Sequence, residues 1–346
     1  MNQITRFFFL IFAASTLLFF FGADVHAEKL MVEGGFCTTT ANTIFRACKN
    51  NVQDDYWIAT AYCINISNDG ERDQCQTDAV EERDEENELC SEQLQGRLDV
   101  CQSIGENRYD PNLDPDLFES DTTHLSNPNP YFPLTAGNVW EYSAGTEGNV
   151  VKVLNRTKLI EGITVVIVRD TVKNEGHLHE DTDDWYVQAK DGNVWYFGEE
   201  VKNYETFEGD RPQIAELVSN DGSFKSGVER AKPGIIFLAS PAKGNIYIEE
   251  FSLGNAEDVT RILSANYSYG SDSKLDKGVP KQLAQLFCSA GDCVVTKNFS
   301  LLEPGVSARK YYARGIGVFL EVESTGEVSQ LVNCNFDARC SQIPTP

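Results

Sequence analysis

The sequence predicts an α+β protein: an N-terminal α-helical hairpin stapled by disulfides, followed by a large antiparallel β-rich domain, either a curled sheet or a barrel. Three observations predict it. Six early cysteines are symmetric about a turn, a Pro- and Asp-rich stretch follows them, and short β-branched and aromatic runs then continue almost to the end. The expected segments are a signal peptide at 1–27, the hairpin at 36–104, a linker at 105–130, the β domain at 131–333 and a clipped tail at 334–346.

The first residues divide as a secretory signal does. Arg6 supplies the positive region, Phe7 to Phe21 the apolar run, and Val25-His26-Ala27 a small-residue cleavage site, with release expected before Glu28. The apolar run is shorter than the roughly 20 residues of a spanning helix, so cleavage is favoured over a membrane anchor. No membrane span is expected afterwards. The expected location is the periplasm or the extracellular space, where an even number of cysteines reads as a disulfide framework.

The hairpin follows from the cysteine positions. Cys63 and Cys75 lie 6 residues either side of Asp69, Cys48 and Cys90 lie 21, and Cys37 and Cys101 lie 32. Asp69 belongs to the turn signal Asn68-Asp69-Gly70. In an antiparallel helical hairpin, residues equidistant from the turn stand at the same height. Steps of 11 and 15 residues rotate a side chain by only about 20° and 60°, so each helix presents its three cysteines on one face. The expected bonds are Cys37–Cys101, Cys48–Cys90 and Cys63–Cys75. A three-helix bundle would leave odd numbers of cysteines on each level. Thiol metal sites are disfavoured because no C-x-x-C spacing occurs.

Residues 109–130 hold four prolines among Asp, Asn and Ser, which reads as an extended connector. Within it, Asp110, Asn112, Asp114 and Asp116 place oxygens at alternate positions, the spacing of a calcium loop. The glycine and the terminal Glu of such a loop are missing, so calcium stands here only as a candidate beside a plain polar linker.

From Tyr131 onward the pattern is strand-like. Val139 to Tyr142, Val150 to Leu154, Ile163 to Val168 and Trp185 to Gln188 open a series that runs to Glu327–Val332. The Asp191-Gly192 corner joins Trp185–Gln188 to Val194–Phe197 as a hairpin. One helix, Lys281 to Phe287, interrupts the strands. The late cysteines fit local clips, Cys288–Cys293 and Cys334–Cys340, with crossed pairings still open.

Asn129-Pro-Tyr-Phe-Pro-Leu134 with Gly137, Trp140 and Tyr142 resembles the opening of a family of uncharacterised exported bacterial proteins. The resemblance continues through Asp183-Asp-Trp-Tyr-Val-Gln188, Gly192 to Glu199 and Lys232 to Ile236, and ends in Leu302-Glu-Pro-Gly305 and Lys310 to Gly317. It spans most of residues 129–323 and implies export and a β-rich fold, with no assigned activity.

Chemistry is less legible. With 53 Asp and Glu against 29 Lys and Arg, the formal net charge of −24 argues against nucleic acid and against anionic membrane surfaces. No G-x-S-x-G, H-E-x-x-H or phosphate-loop pattern occurs. His177 and His179 alternate before a run of carboxylates and form a second metal candidate, although they also read as an exposed hairpin tip. Trp140, Trp185, Tyr186, Trp195, Tyr196 and Phe197 read as sheet core, with a sugar or lipid cavity as their other use. In so acidic a chain, a neighbouring pair such as Glu199 and Glu200 singles out nothing. The expectation is therefore a non-catalytic protein without cofactor, binding or scaffolding an envelope or extracellular ligand. The alternatives are an exported hydrolase with an unrecognised carboxylate site and a divalent-cation protein.

Overall fold

The computed structural model describes residues 35–345, so the expected signal peptide lies outside the described residues. Helix α1 spans Phe36–Ile64 and α2 spans Asp69–Ile104. The Asn68 side chain caps α2 by accepting from the Glu71 amide at 3.1 Å, and Asp69 and Glu71 place negative charge in its first turn. Gly105, in the left-handed region, ends it. All three expected bonds form, with Cα separations of 5.6, 5.9 and 5.5 Å for Cys37–Cys101, Cys48–Cys90 and Cys63–Cys75.

The helices bury little besides these cysteines. Only Ala41, Val52 and Cys63 of α1 are buried. Helix α2 adds Gln93, Arg97 and Val100, on the stripe that meets the β domain. Arg97 there forms a bidentate pair with Glu257, both contacts 2.8 Å and both side chains buried. Gln93 donates to the Leu302 carbonyl at 2.9 Å. Near the turn, Trp57, Tyr62 and Ile64 are exposed.

The β domain contains β1 Val139–Ala144, β2 Glu147–Ile160, β3 Ile163–Asn174, β4 His177–Gln188, β5 Val194–Glu200, β6 Asn203–Glu205, β7 Glu216–Ser219 and β8 Phe224–Lys225. It continues with β9 Lys232–Phe237, β10 Ile246–Ile248, β11 Glu250–Phe251, β12 Asp258–Tyr267, β13 Cys293–Ser300, β14 Ala308–Ala313, β15 Gly317–Glu323 and β16 Val328–Cys334, with helix α3 at Lys281–Cys288. The antiparallel order is β10-β12-β13-β14-β15-β16-β1-β2-β3-β4-β5-β9-β11. Its two ends, β10 and β11, are separated in sequence only by Glu249. One short segment therefore pairs with β12 on one side and β9 on the other, bringing the sheet round into a nearly closed barrel. Gly234 permits the closure: a Cβ there would stand 2.1 Å from the Glu249 carbonyl oxygen.

The linker is irregular, as expected, yet it is packed onto the barrel. Phe118 is buried among Ile160, Val165, Trp185 and Phe197 on the outer face of β2 to β5. Both late clips form locally, Cys288–Cys293 and Cys334–Cys340, and no cysteine among the described residues is free. No described helix is long and apolar enough to cross a membrane.

Candidate functional site

Strand parity decides what the barrel encloses. On β3, Val166, Val168 and Asp170 share a face, and their partners on β4 are Tyr186, Asp184 and Thr182. Across the barrel Lys310 stands opposite Glu321, and Tyr312 opposite Val318. These inward positions meet around a cavity of about 220 Å³, whose wall includes Trp140, Tyr142, Asp170, Tyr186, Lys310 and Glu321. Such a volume holds roughly seven waters at ~30 Å³ each.

The polar lining extends beyond that cavity. Asp184 accepts from the Tyr196 hydroxyl at 2.6 Å, and Tyr196 stacks on Tyr186 with ring centres 4.8 Å apart. Glu199 faces Asp184 across the β4–β5 ladder. Glu249, buried at the crossing segment, accepts from Thr260 and from Asn298 at 2.9 Å, and Asp258 lies on the same strand face as Thr260. Seven carboxyl groups (Asp170, Glu180, Asp184, Glu199, Glu249, Asp258 and Glu321) thus accompany the single ammonium of Lys310.

That imbalance moves protons. Burial, reinforced by the Asp184 charge, pushes the Asp170 carboxyl up to about 7. Burial also raises Glu249 to about 7, against the opposing pull of Lys310. Asp184 and Glu199 are raised chiefly by burial, and Asp184 is held down in part by the tyrosine hydroxyls. Lys310 is held above its ordinary value by Glu321. Asp170 keeps some accessible surface, but that surface faces the cavity it lines, which is why burial dominates its titration. Two oxygens of the wall residues, Asn149 Oδ1 and Asp170 Oδ1, are buried without a hydrogen-bond partner among the described residues. Buried acceptors left in this way call for a donor.

The metal candidates singled out in the sequence lie elsewhere. Two of the four alternating side chains of 110–116, Asn112 and Asp114, are engaged in the linker's own turns. Asp110 pairs with Lys232 at 2.7 Å, Asn112 accepts from the Asp114 amide, and Asp114 accepts from the Asp116 amide. His177 and His179 are exposed beside the Glu175-Gly176 turn of the β3–β4 hairpin. Among the described residues, no group of three or more His, Cys, Asp or Glu is arranged to hold a metal ion.

The six aromatics split. Trp185, Trp195 and Phe197 pack outward with Phe118, whereas Trp140, Tyr186 and Tyr196 serve the lumen. The sequence reading missed the lumen because it weighed carboxylates by proximity in the chain. Glu199 and Glu200 are neighbours in sequence but point to opposite faces. The usable signal was a carboxylate on the apolar parity of a strand, as in Val166-x-Val168-x-Asp170. Comparison with family models, curated proteins and solved structures gives no match to this chain.

Proposed function

We propose that the barrel is a binding module for a small organic cation, an amine or guanidinium compound, held in the lumen of an exported protein. The observation that carries the reading is the inward set of seven carboxyl groups against Lys310 alone, with two wall oxygens lacking a donor. An ammonium group offers N–H donors to those oxygens and positive charge to the carboxylates. Tyr142, Tyr186 and Tyr312 supply the ring faces that attract cations. The charged groups Asp170, Asp184, Lys310 and Glu321, set in an otherwise largely apolar and aromatic wall, distinguish this cavity from that of a lipid carrier. Support for export comes from the signal-like first 27 residues and from ten cysteines all paired in disulfides.

Because binding favours ionised carboxylates, affinity should strengthen as pH rises toward the Asp170 value of about 7, with protons released. Calorimetric titration of the oxidised protein with ethanolamine, agmatine and choline, against glycerol as a neutral control, tests this. The expected result is saturable binding of at least one cation, tighter at pH 8 than at pH 5 and weakened about tenfold or more by Asp184→Asn. Absence of cation binding at millimolar concentration, or equal binding of glycerol, would sink it.

The hydrolase reading keeps one observation in its favour, the Asp170 carboxyl titrating near neutrality on a cavity wall. Turnover of a small glycoside or ester, lost in Asp170→Asn, would select it.

A further inference from the structure

A second cavity, of about 420 Å³, lies between the base of the hairpin and the outer face of the barrel. Most of its wall is apolar, including Val100, Ile104, Phe251, Leu253, Val259 and Leu301. Its charged residues differ from the rest of the molecule. In a chain of net charge −24, this groove collects Arg97, Arg108, Arg230 and Lys232. Arg97 is neutralised by Glu257, and Lys232 by Asp110. Arg108 and Arg230 are exposed and form no ion pair among the described residues. The remaining wall carboxyl, Glu250, is raised well above its ordinary value by burial beside Asp258 and Glu199, which favours its neutral form. The groove is thus locally cationic at its exposed arginines and apolar behind them. The Arg108 guanidinium is held over the Phe36 ring at 3.7 Å, where the apolar wall begins. Deeper in, Arg97 Nη1 is buried with no acceptor.

From this juxtaposition we infer that the groove binds a medium-chain fatty carboxylate, its head on Arg108 and Arg230 and its alkyl chain along the apolar wall. The volume sets the length: at roughly 30 Å³ per water-sized unit, 420 Å³ accepts about fourteen such units, close to a dodecanoate with its head group. The overall negative charge opposes adsorption to an anionic membrane, a long-range effect over a broad surface. A single carboxylate meets only the local field of the two arginines, since charges beyond about 8–10 Å are screened at physiological salt. The groove and the lumen lie on opposite faces of the barrel wall, and Glu250, beside the lumen carboxyls Asp258 and Glu199, links them, so a lumen variant accompanies the groove variants in the test.

The test uses the full exported chain with its disulfides formed. Dodecanoate, dodecanol and dodecyltrimethylammonium, below their micelle-forming concentrations, are titrated into the protein and into Arg108→Glu/Arg230→Glu. Both altered side chains are exposed, so the fold is expected to persist, and far-UV circular dichroism checks it. Dodecanoate should bind and the double reversal should weaken it by about a hundredfold, tenfold per cation, whereas any binding of the ammonium analogue at the carboxylate-lined lumen should not fall in the double reversal. A second variant, Leu253→Trp, narrows the groove without touching charge and should also weaken it. Asp184→Asn, in the lumen, should leave it unchanged. No dodecanoate binding, binding indifferent to both groove variants, or loss of the ammonium analogue's binding in the double reversal would overturn the inference.

Discussion

The hairpin joins two helices, of 29 and 36 residues, through three disulfides and buries few side chains between them. The barrel closes its sheet with backbone pairing, buries a broad set of aliphatic and aromatic side chains, and uses its two disulfides only on sequence separations of 5 and 6. The long-range covalent bonds therefore sit where apolar burial is scarce, as expected of a thin element that cannot build a core. Where burial is abundant, the fold tolerates seven inward carboxyls, of which Asp170 and Glu249 carry a clear burial cost. The hairpin spends its sequence on stability, and the barrel holds the chemistry.

The sharpest way to break this contrast is at the joint. Arg97 and Glu257 are both buried and paired only with each other across the two regions, apart from the Gly254 amide that also donates to Glu257. Arg97→Met would leave a buried carboxylate uncompensated and should cost about 3–5 kcal/mol, most of it recovered in Arg97→Met/Glu257→Met. Denaturant unfolding followed through both helical and aromatic signals measures it. A loss below ~1 kcal/mol would mean that hairpin and barrel unfold without reference to each other.

Next in size is the ladder itself. Cys48→Ser/Cys90→Ser opens a crosslink of separation 42 and should cost about 3–4 kcal/mol, seen as early helix melting and proteolysis near the middle of both arms. Opening Cys334–Cys340, with a separation of 6, should cost nearer ~2 kcal/mol and leave the helical signal intact. Equal effects of the two would remove the distinction drawn between the regions.

The same contrast explains what could be read from the sequence. Hairpin pairing was legible because a helix preserves distance along the chain: equal offsets from Asp69 become equal heights, and three crosslinks follow. Strand positions were legible from β-branched and aromatic runs, and the helix at Lys281–Cys288 from its composition. The choice between a curled sheet and a barrel was not, since closure depends on one segment, Ile246–Phe251, dividing its pairing between two distant strands, with Gly234 yielding space for the crossing. Nor was the lumen. Its carboxyls come from β3, β4, β5, β12, β15 and the crossing at Glu249, and only the closed sheet brings Asp170, Lys310 and Glu321 to one wall. The alternating Asp/Asn run of 110–116 has a local use as well: it suits successive side-chain-to-amide turns, and these form at Asn112 and Asp114.

The smallest expected effect isolates the cost of the lumen. Asp170 titrates near 7 in the folded barrel against about 3.9 in an unfolded chain, so between those values the native state holds a proton that the unfolded state has released. The contribution is therefore fully present below about pH 4 and is lost as pH rises through 7; Glu249, also near 7, behaves in the same sense. Barrel stability should fall from pH 5 to pH 8. Asp170→Asn, which cannot ionise, should flatten that slope and raise stability at pH 8 by about 1–2 kcal/mol, less than the full shift implies because the group faces a cavity that water can enter. The hairpin serves as the internal control, since its buried side chains include no carboxylate. If Asp170→Asn left the slope unchanged or steepened it, the lumen carboxyls would not be the strained element of the barrel, and their placement there would need a reason other than a ligand that ionises them.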